Sequence, residues 1–146
     1  MPPPVLTVLS IAAIGLSGRL VPSIESSSIF YTCAASLCSG VGIGFLIWAG
    51  VLFEKEKTTV NPFRPNKTAS IVDSGPYRFT RNPMYLGMIL LIIGSGFWFQ
   101  QWTSILVVIA FWFYMNETQI KPEERALTEK FEEEYVDYMS KVRRWI

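Results

Sequence analysis

The charges of this chain are segregated along it. Its 13 Lys/Arg and 12 Asp/Glu fall almost entirely into two blocks, residues 54–81 and 117–144, and outside them only Arg19 and Glu25 are charged. Long apolar runs fill the rest. Charge gathered between apolar runs is the pattern of a polytopic membrane protein, because ionised side chains are expelled from hydrocarbon. At 146 residues the chain has room for one domain.

Four apolar stretches predict four membrane-spanning helices. The first covers about 5–24, with Arg19 and Pro22 near its end, where an arginine can snorkel to the interface. A cleaved signal peptide fits poorly, since the leading MPPP carries no cationic side chain. The second covers about 29–53, and Gly40, Gly42 and Gly44 are read as one small-residue side of it, open to close helix approach or merely tolerated. The third covers about 84–99 and the fourth about 102–118, a tight hairpin with Phe97, Trp98, Phe99 and Trp102 at its interfacial tip. The tail, 122–142, spaces Leu127, Phe131, Tyr135, Tyr138 and Val142 at helical steps, which predicts an amphipathic helix. Pro122 suits its first turn, with Glu123 and Glu124 near the positive end of the helix dipole.

Charge also predicts topology. The loop 54–83 carries six Lys/Arg and the tail another six, whereas the 17–28 connection has one and the turn at 100–101 none. The loop and the tail therefore belong together on the cytoplasmic side, with both termini. The net charge of +1 supplies no general field for nucleic acid, so no nucleic-acid partner is expected. The absence of histidine removes the commonest metal ligand and the usual neutral-pH acid–base group, and no metal site is expected. Cys33 and Cys38 lie in the second span and read as packing residues.

The residues that carry chemistry begin at GPYRFTRNPMY, 75–85. Asn82 before Pro83 is biased away from helix, and Pro83 can open the third helix. Unpaired N–H groups there favour an anionic or polar ligand group. Arg78 and Arg81 add positive charge, and Tyr77 and Tyr85 add aromatic faces and hydroxyls. On the residues alone, an interfacial anchor and a ligand site both remain open.

The segment GPYRFTRNPMYLG (75–87), with PEERAL (122–127) and FEEEYVDYMSKV (131–142), resembles the signature of the isoprenylcysteine carboxyl methyltransferase and phospholipid methyltransferase families. That signature runs roughly GPY-x-x-x-R-H-P-x-Y-x-G, a helical hairpin, an E-E pair and FG-x-EY-x-x-Y-x-x-x-V. The resemblance covers about 58–146 and implies an integral membrane methyltransferase that uses S-adenosylmethionine. It implies a cofactor loop at 58–83, with Ser70, Ile71, Val72, Tyr77, Asn82, Pro83, Met84 and Tyr85 on the cofactor. It implies Glu123, Glu124 and Arg81 as the residues of the chemistry.

Two positions depart from the pattern. Asn82 stands where the family has histidine, so no proton transfer near neutral pH can run through it. Gln119 aligns with an arginine that contacts substrate in the eukaryotic carboxyl methyltransferases, and Lys121 is the nearest cation. A carboxylate or thiolate acceptor needs alignment and exclusion of water, whereas an amine must also lose a proton, for which Glu123 or Glu124 could serve. The expectation is thus an all-α polytopic membrane protein of one domain, with four transmembrane helices and a C-terminal amphipathic cytoplasmic helix, in a bacterial inner membrane. Its partners are the lipid bilayer and a lipophilic methyl acceptor (a prenyl-thiol, a phospholipid or a small thiol). A non-catalytic membrane scaffold with the same fold is the alternative.

Overall fold

A computed structural model of the chain describes residues 1–24, 28–55 and 71–146. Among them the structure is helical throughout and holds no strand. The helices are α1 (Pro3–Ser17), α2 (Ser28–Lys55), α3 (Pro83–Trp98), α4 (Ser104–Met115) and α5 (Lys121–Lys141). A 3-10 turn (Gly75–Arg78) precedes α3, and a π turn (Asn116–Ile120) joins α4 to α5 without a break.

Among the described residues one helix, Ile29–Lys55, is long and apolar enough to cross a membrane. Its 27 residues run about 40 Å at about 1.5 Å per residue, beyond the roughly 30 Å of a hydrocarbon core. Only 11% of its most apolar window is buried inside the protein. Leu37, Ile47 and Val51 project outward at 57–68% exposure, an apolar surface that water would penalise.

The first helix stops earlier than the apolar run predicts. It ends at Ser17 rather than near residue 24, because Ser17 is drawn into the opposite connection. Its hydroxyl donates to the Ile14 carbonyl at 2.7 Å and shares a 2.7 Å hydrogen bond with Thr103. Beyond it the chain turns, and the Ile24 N–H donates to the Gln100 carbonyl at 2.8 Å.

The helices α2 and α3 pack through small residues. The buried positions Ala35, Gly42 and Ala49 lie seven apart on α2 and form one line. A Cβ added at Gly87 would stand 2.7 Å from the Gly42 carbonyl, and one at Gly94 would meet Ser39 Oγ and the Ala35 carbonyl. Gly40 and Gly44 meet nothing within 4 Å. The three α2 glycines therefore do not share a side as the sequence suggested. Residues two apart are about 200° apart around a helix, so only Gly42 can face α3. The main core joins Ile14 of α1, Tyr85, Met88, Ile89 and Ile92 of α3, Phe111 and Met115 of α4, and Ile120.

The acidic pair lies in the first turn of α5, but that turn has no free N-terminus. Ile120, before Lys121, has helical dihedrals, and the chain runs continuously from α4. The ring of Pro122 would clash with the carbonyl of residue 118 in a regular α-helix. The wider π turn just before it relieves that clash. Glu123 and Glu124 thus have no free helix N-terminus beside them, and their positions have another cause. Downstream, α5 kinks at Glu132, whose dihedrals are φ 46°, ψ −119°.

Candidate functional site at the mouth of α3

The site is assembled where three segments meet: the turn and mouth of α3 (77–85), the start of α5, and the last residues of the chain. The turn is held by burial. Tyr77 is 6% exposed, clusters with Ala49 and Val72, and meets the Phe53 ring edge-on at 5.2 Å. The Tyr138 hydroxyl donates to the Tyr77 carbonyl at 2.8 Å. Gly75 reaches φ +57° with Trp48 against it, a backbone state open to glycine.

From this turn Tyr85 points across to α5. Its hydroxyl donates to Glu123 Oε1 at 3.0 Å. Burial pushes the Glu123 carboxyl up to about 7; the Tyr85 hydrogen bond opposes that rise and the neighbouring Glu124 adds to it. Glu124 faces elsewhere. Arg81 Nη2 donates to its Oε1 at 2.8 Å, and Arg144 holds both its oxygens, Nε to Oε1 at 3.0 Å and Nη2 to Oε2 at 2.5 Å. Burial would raise its pKa too, but the hydrogen bonds from Arg144 and Arg81 outweigh that and hold it below the ordinary carboxylate value. The two neighbours are therefore chemically unlike. Glu124 is a fixed anion, and Glu123 is a carboxyl that can gain or lose a proton near neutral pH.

The residues expected from the sequence divide between site and support. Tyr85 and Glu123 are in contact. Tyr77 is near enough that the Glu123 charge helps to raise its hydroxyl pKa, behind the larger effect of burial. Met84 is half-buried beside the Tyr77 cluster, Val72 is inside it, and Ile71 is half-buried. Asn82 and Pro83 are buried as support. Asn82 does not cap α3 with its side chain; its Nδ2 donates to the Arg144 carbonyl at 2.9 Å. Arg81 is likewise committed, with Nη1 on the Met139 and Val142 carbonyls at 3.1 and 2.7 Å. Arg78 is exposed, Gln119 is buried in the π turn, and Ser70 lies outside the described residues, as do residues 58–69 of the expected cofactor loop.

The sequence reading missed Arg144 and Trp145. Arg144 grips Glu124, while Trp145 Nε1 donates to Asn116 Oδ1 at 3.3 Å and its ring lies 6.5 Å from that of Trp112. The signal was present as a charged and aromatic run, RRW, after the last motif residue. An open groove of about 400 Å³ lies on the Glu124 side, lined by Lys121, Glu124, Arg125, Thr128, Glu129, Met139 and Arg144. Tyr85 and Glu123 do not line it. No group of three or more Cys, Asp and Glu side chains able to hold a metal occurs among the described residues.

The family model described as phospholipid methyltransferase matches residues 30–134, which include α2, the α3 mouth and the acidic pair. An uncharacterized protein of Haemophilus influenzae is 40% identical over 63 residues, 43% of this chain and all of that relative. No solved structure matches. With the family match spanning most of the chain, and the family's motif residues gathered at one end of the helices, this protein belongs to the phospholipid methyltransferase family.

Proposed function

We propose that this protein is an S-adenosylmethionine-dependent methyltransferase of four membrane-spanning helices, with its site at the cytoplasmic face and a lipophilic acceptor entering from the bilayer. The observation that carries the reading is the 3.0 Å contact between Tyr85 and Glu123, which joins the mouth of α3 to the start of α5. Family membership supports methyl transfer as the reaction class.

The side chains fit a cationic donor. A half-buried carboxylate with the Tyr85 hydroxyl on it suits a sulfonium by charge. Tyr77, Met84, Tyr85 and Glu123 would hold it, while Asn82 and Pro83 stay behind as support. Bound there, S-adenosylmethionine supplies an activated methyl group on a positively charged sulfur. The protein's own residues orient the acceptor, exclude water and manage one proton. Glu123 is placed for that proton, since a base works best when its pKa lies near the operating pH. This favours a phospholipid amine over a prenyl-thiol carboxylate or a small thiol as acceptor. An ammonium is drawn to Glu123 and must lose a proton to react, whereas a carboxylate would be repelled.

The test is calorimetric titration of the purified protein with S-adenosylmethionine and S-adenosylhomocysteine. Binding is expected, weakened in Tyr85→Phe and Glu123→Ala. A folded sample that binds neither compound overturns the reading.

A further inference from the structure

We propose that the C-terminal strap, residues 139–145, is part of the working site, and that Arg144 is the positioning residue that keeps Glu123 against Tyr85. The strap lies beyond the segment 30–134 that matches the family.

The strap ties together three segments that are distant in sequence. Its backbone carbonyls receive the α3 mouth: Arg143 O accepts from the Arg81 N–H at 2.9 Å, and Arg144 O accepts from Thr80 Oγ1 at 3.2 Å and from Asn82 Nδ2 at 2.9 Å. The Arg144 guanidinium takes both oxygens of Glu124 in α5. The Trp145 indole holds Asn116 at the start of the π turn, and Asn116 Nδ2 in turn donates to the Trp112 carbonyl at 3.1 Å.

The consequence is rotational. Successive residues on a helix point about 100° apart, so Glu123 and Glu124 cannot face the same partner. The π turn sets which of them meets Tyr85, because one residue more or less in that turn rotates everything after it by about the same angle. Trp145 clamps the turn and Arg144 clamps the acidic pair. Arg81–Glu124 and Tyr85–Glu123 then form two rungs between the same segments. The planar guanidinium matters here, since a lysine ammonium cannot grip both carboxylate oxygens in one plane.

The deciding measurement is the titration of the Glu123 carboxyl, followed by infrared spectroscopy and identified by loss of its band in Glu123→Gln. Among the described residues, Tyr85 from α3, Glu124 and Tyr135 on its own helix, and Tyr77 from the turn are the ionisable groups around it. The wild-type midpoint is expected near 7. In Arg144→Gln, Glu123 swings away from Tyr85 into water, and its midpoint falls by at least one unit toward the ordinary value of 4.5. Arg144→Lys falls less. If Arg144 acted through its charge alone, losing that charge would raise the midpoint, so an unchanged or higher midpoint overturns the proposal. Where Arg144→Gln fails to fold, Trp145→Phe decides by the same sign, because it keeps an aromatic side chain and removes the indole N–H that holds Asn116.

The ligand arm rests on the proposed function: Arg144→Gln should bind S-adenosylhomocysteine about tenfold more weakly, as for loss of a charged hydrogen bond. Wild-type protein that binds no S-adenosylhomocysteine would sink the functional reading, and the titration would still judge the strap.

Discussion

Glu123 and Glu124 show how far two adjacent, identical residues can diverge. One is half-buried beside a tyrosine hydroxyl, and the other is held by two guanidinium groups. The pair was legible in the sequence, but not its division of labour, because the partners come from residues 81, 85 and 144. The raised Glu123 pKa has a consequence for stability. The folded state holds the proton up to about 7, while the unfolded chain releases it near the ordinary value of 4.5. The contribution is thus full below about 4.5 and is lost as pH rises to about 7. Glu123→Gln removes that dependence. Thermal unfolding in detergent should show wild type losing more stability than Glu123→Gln between pH 5 and pH 8, and equal losses would contradict the assignment. Asn82 teaches a related lesson. Its side chain secures the strap through the Arg144 carbonyl, a partner that lies 62 residues away.

At the scale of elements, α5 is the informative case. Its stripe of Leu127, Phe131, Tyr135, Tyr138 and Val142 is wholly or partly buried, as the spacing required. The helix that carries it is nonetheless bent at Glu132 into a positive-φ state. The resembling family signature has glycine at this position, FG-x-EY, where this chain reads Phe131, Glu132, Glu133, Glu134, Tyr135. A side chain in such a backbone state costs about 1–3 kcal/mol, against the roughly 0.5–1 kcal/mol that glycine costs in a helix. Glu132→Gly should therefore stabilise the protein by about 1 kcal/mol, or about 2–4 °C in Tm for a domain of this size. A lower Tm would mean that the bend is relaxed in solution. The α2–α3 seam is more one-sided. Gly42 and Gly87 bring the two backbones within a distance that any Cβ would block, and no periodicity in α2 alone singles out Gly42 from Gly40 and Gly44.

For the whole molecule, the helices alternate in direction and gather their polar ends. The N-terminal amine reaches the Tyr114 hydroxyl at 3.3 Å near the end of α4, while Ser17 meets Thr103 at the opposite end. Tyr31 at the start of α2 lies against Phe97 at the end of α3, and Phe53 at the end of α2 lies against Tyr77. The start of α1, the end of α2, the mouth of α3 and the start of α5 thus share one end. Together with the twelve Lys/Arg of the loop and tail, this supports the proposed orientation. In a background lacking Cys33 and Cys38, a cysteine at Trp102 should react with an impermeant maleimide from outside intact cells, and one at Glu129 only after lysis. The reverse pattern would invert the topology.

The sequence by itself determined how the chain partitions: which stretches are apolar, which are charged, and that α3 opens at Pro83. Those properties are additive along the chain and need no partner. The tertiary structure alone decided that Glu123 meets Tyr85, that Glu124 meets Arg81 and Arg144, and that only Gly42 of its three neighbours touches α3. These depend on helix rotation, which a π turn, a kink and a terminal strap set together, and no single segment encodes a rotation that only its contacts can fix.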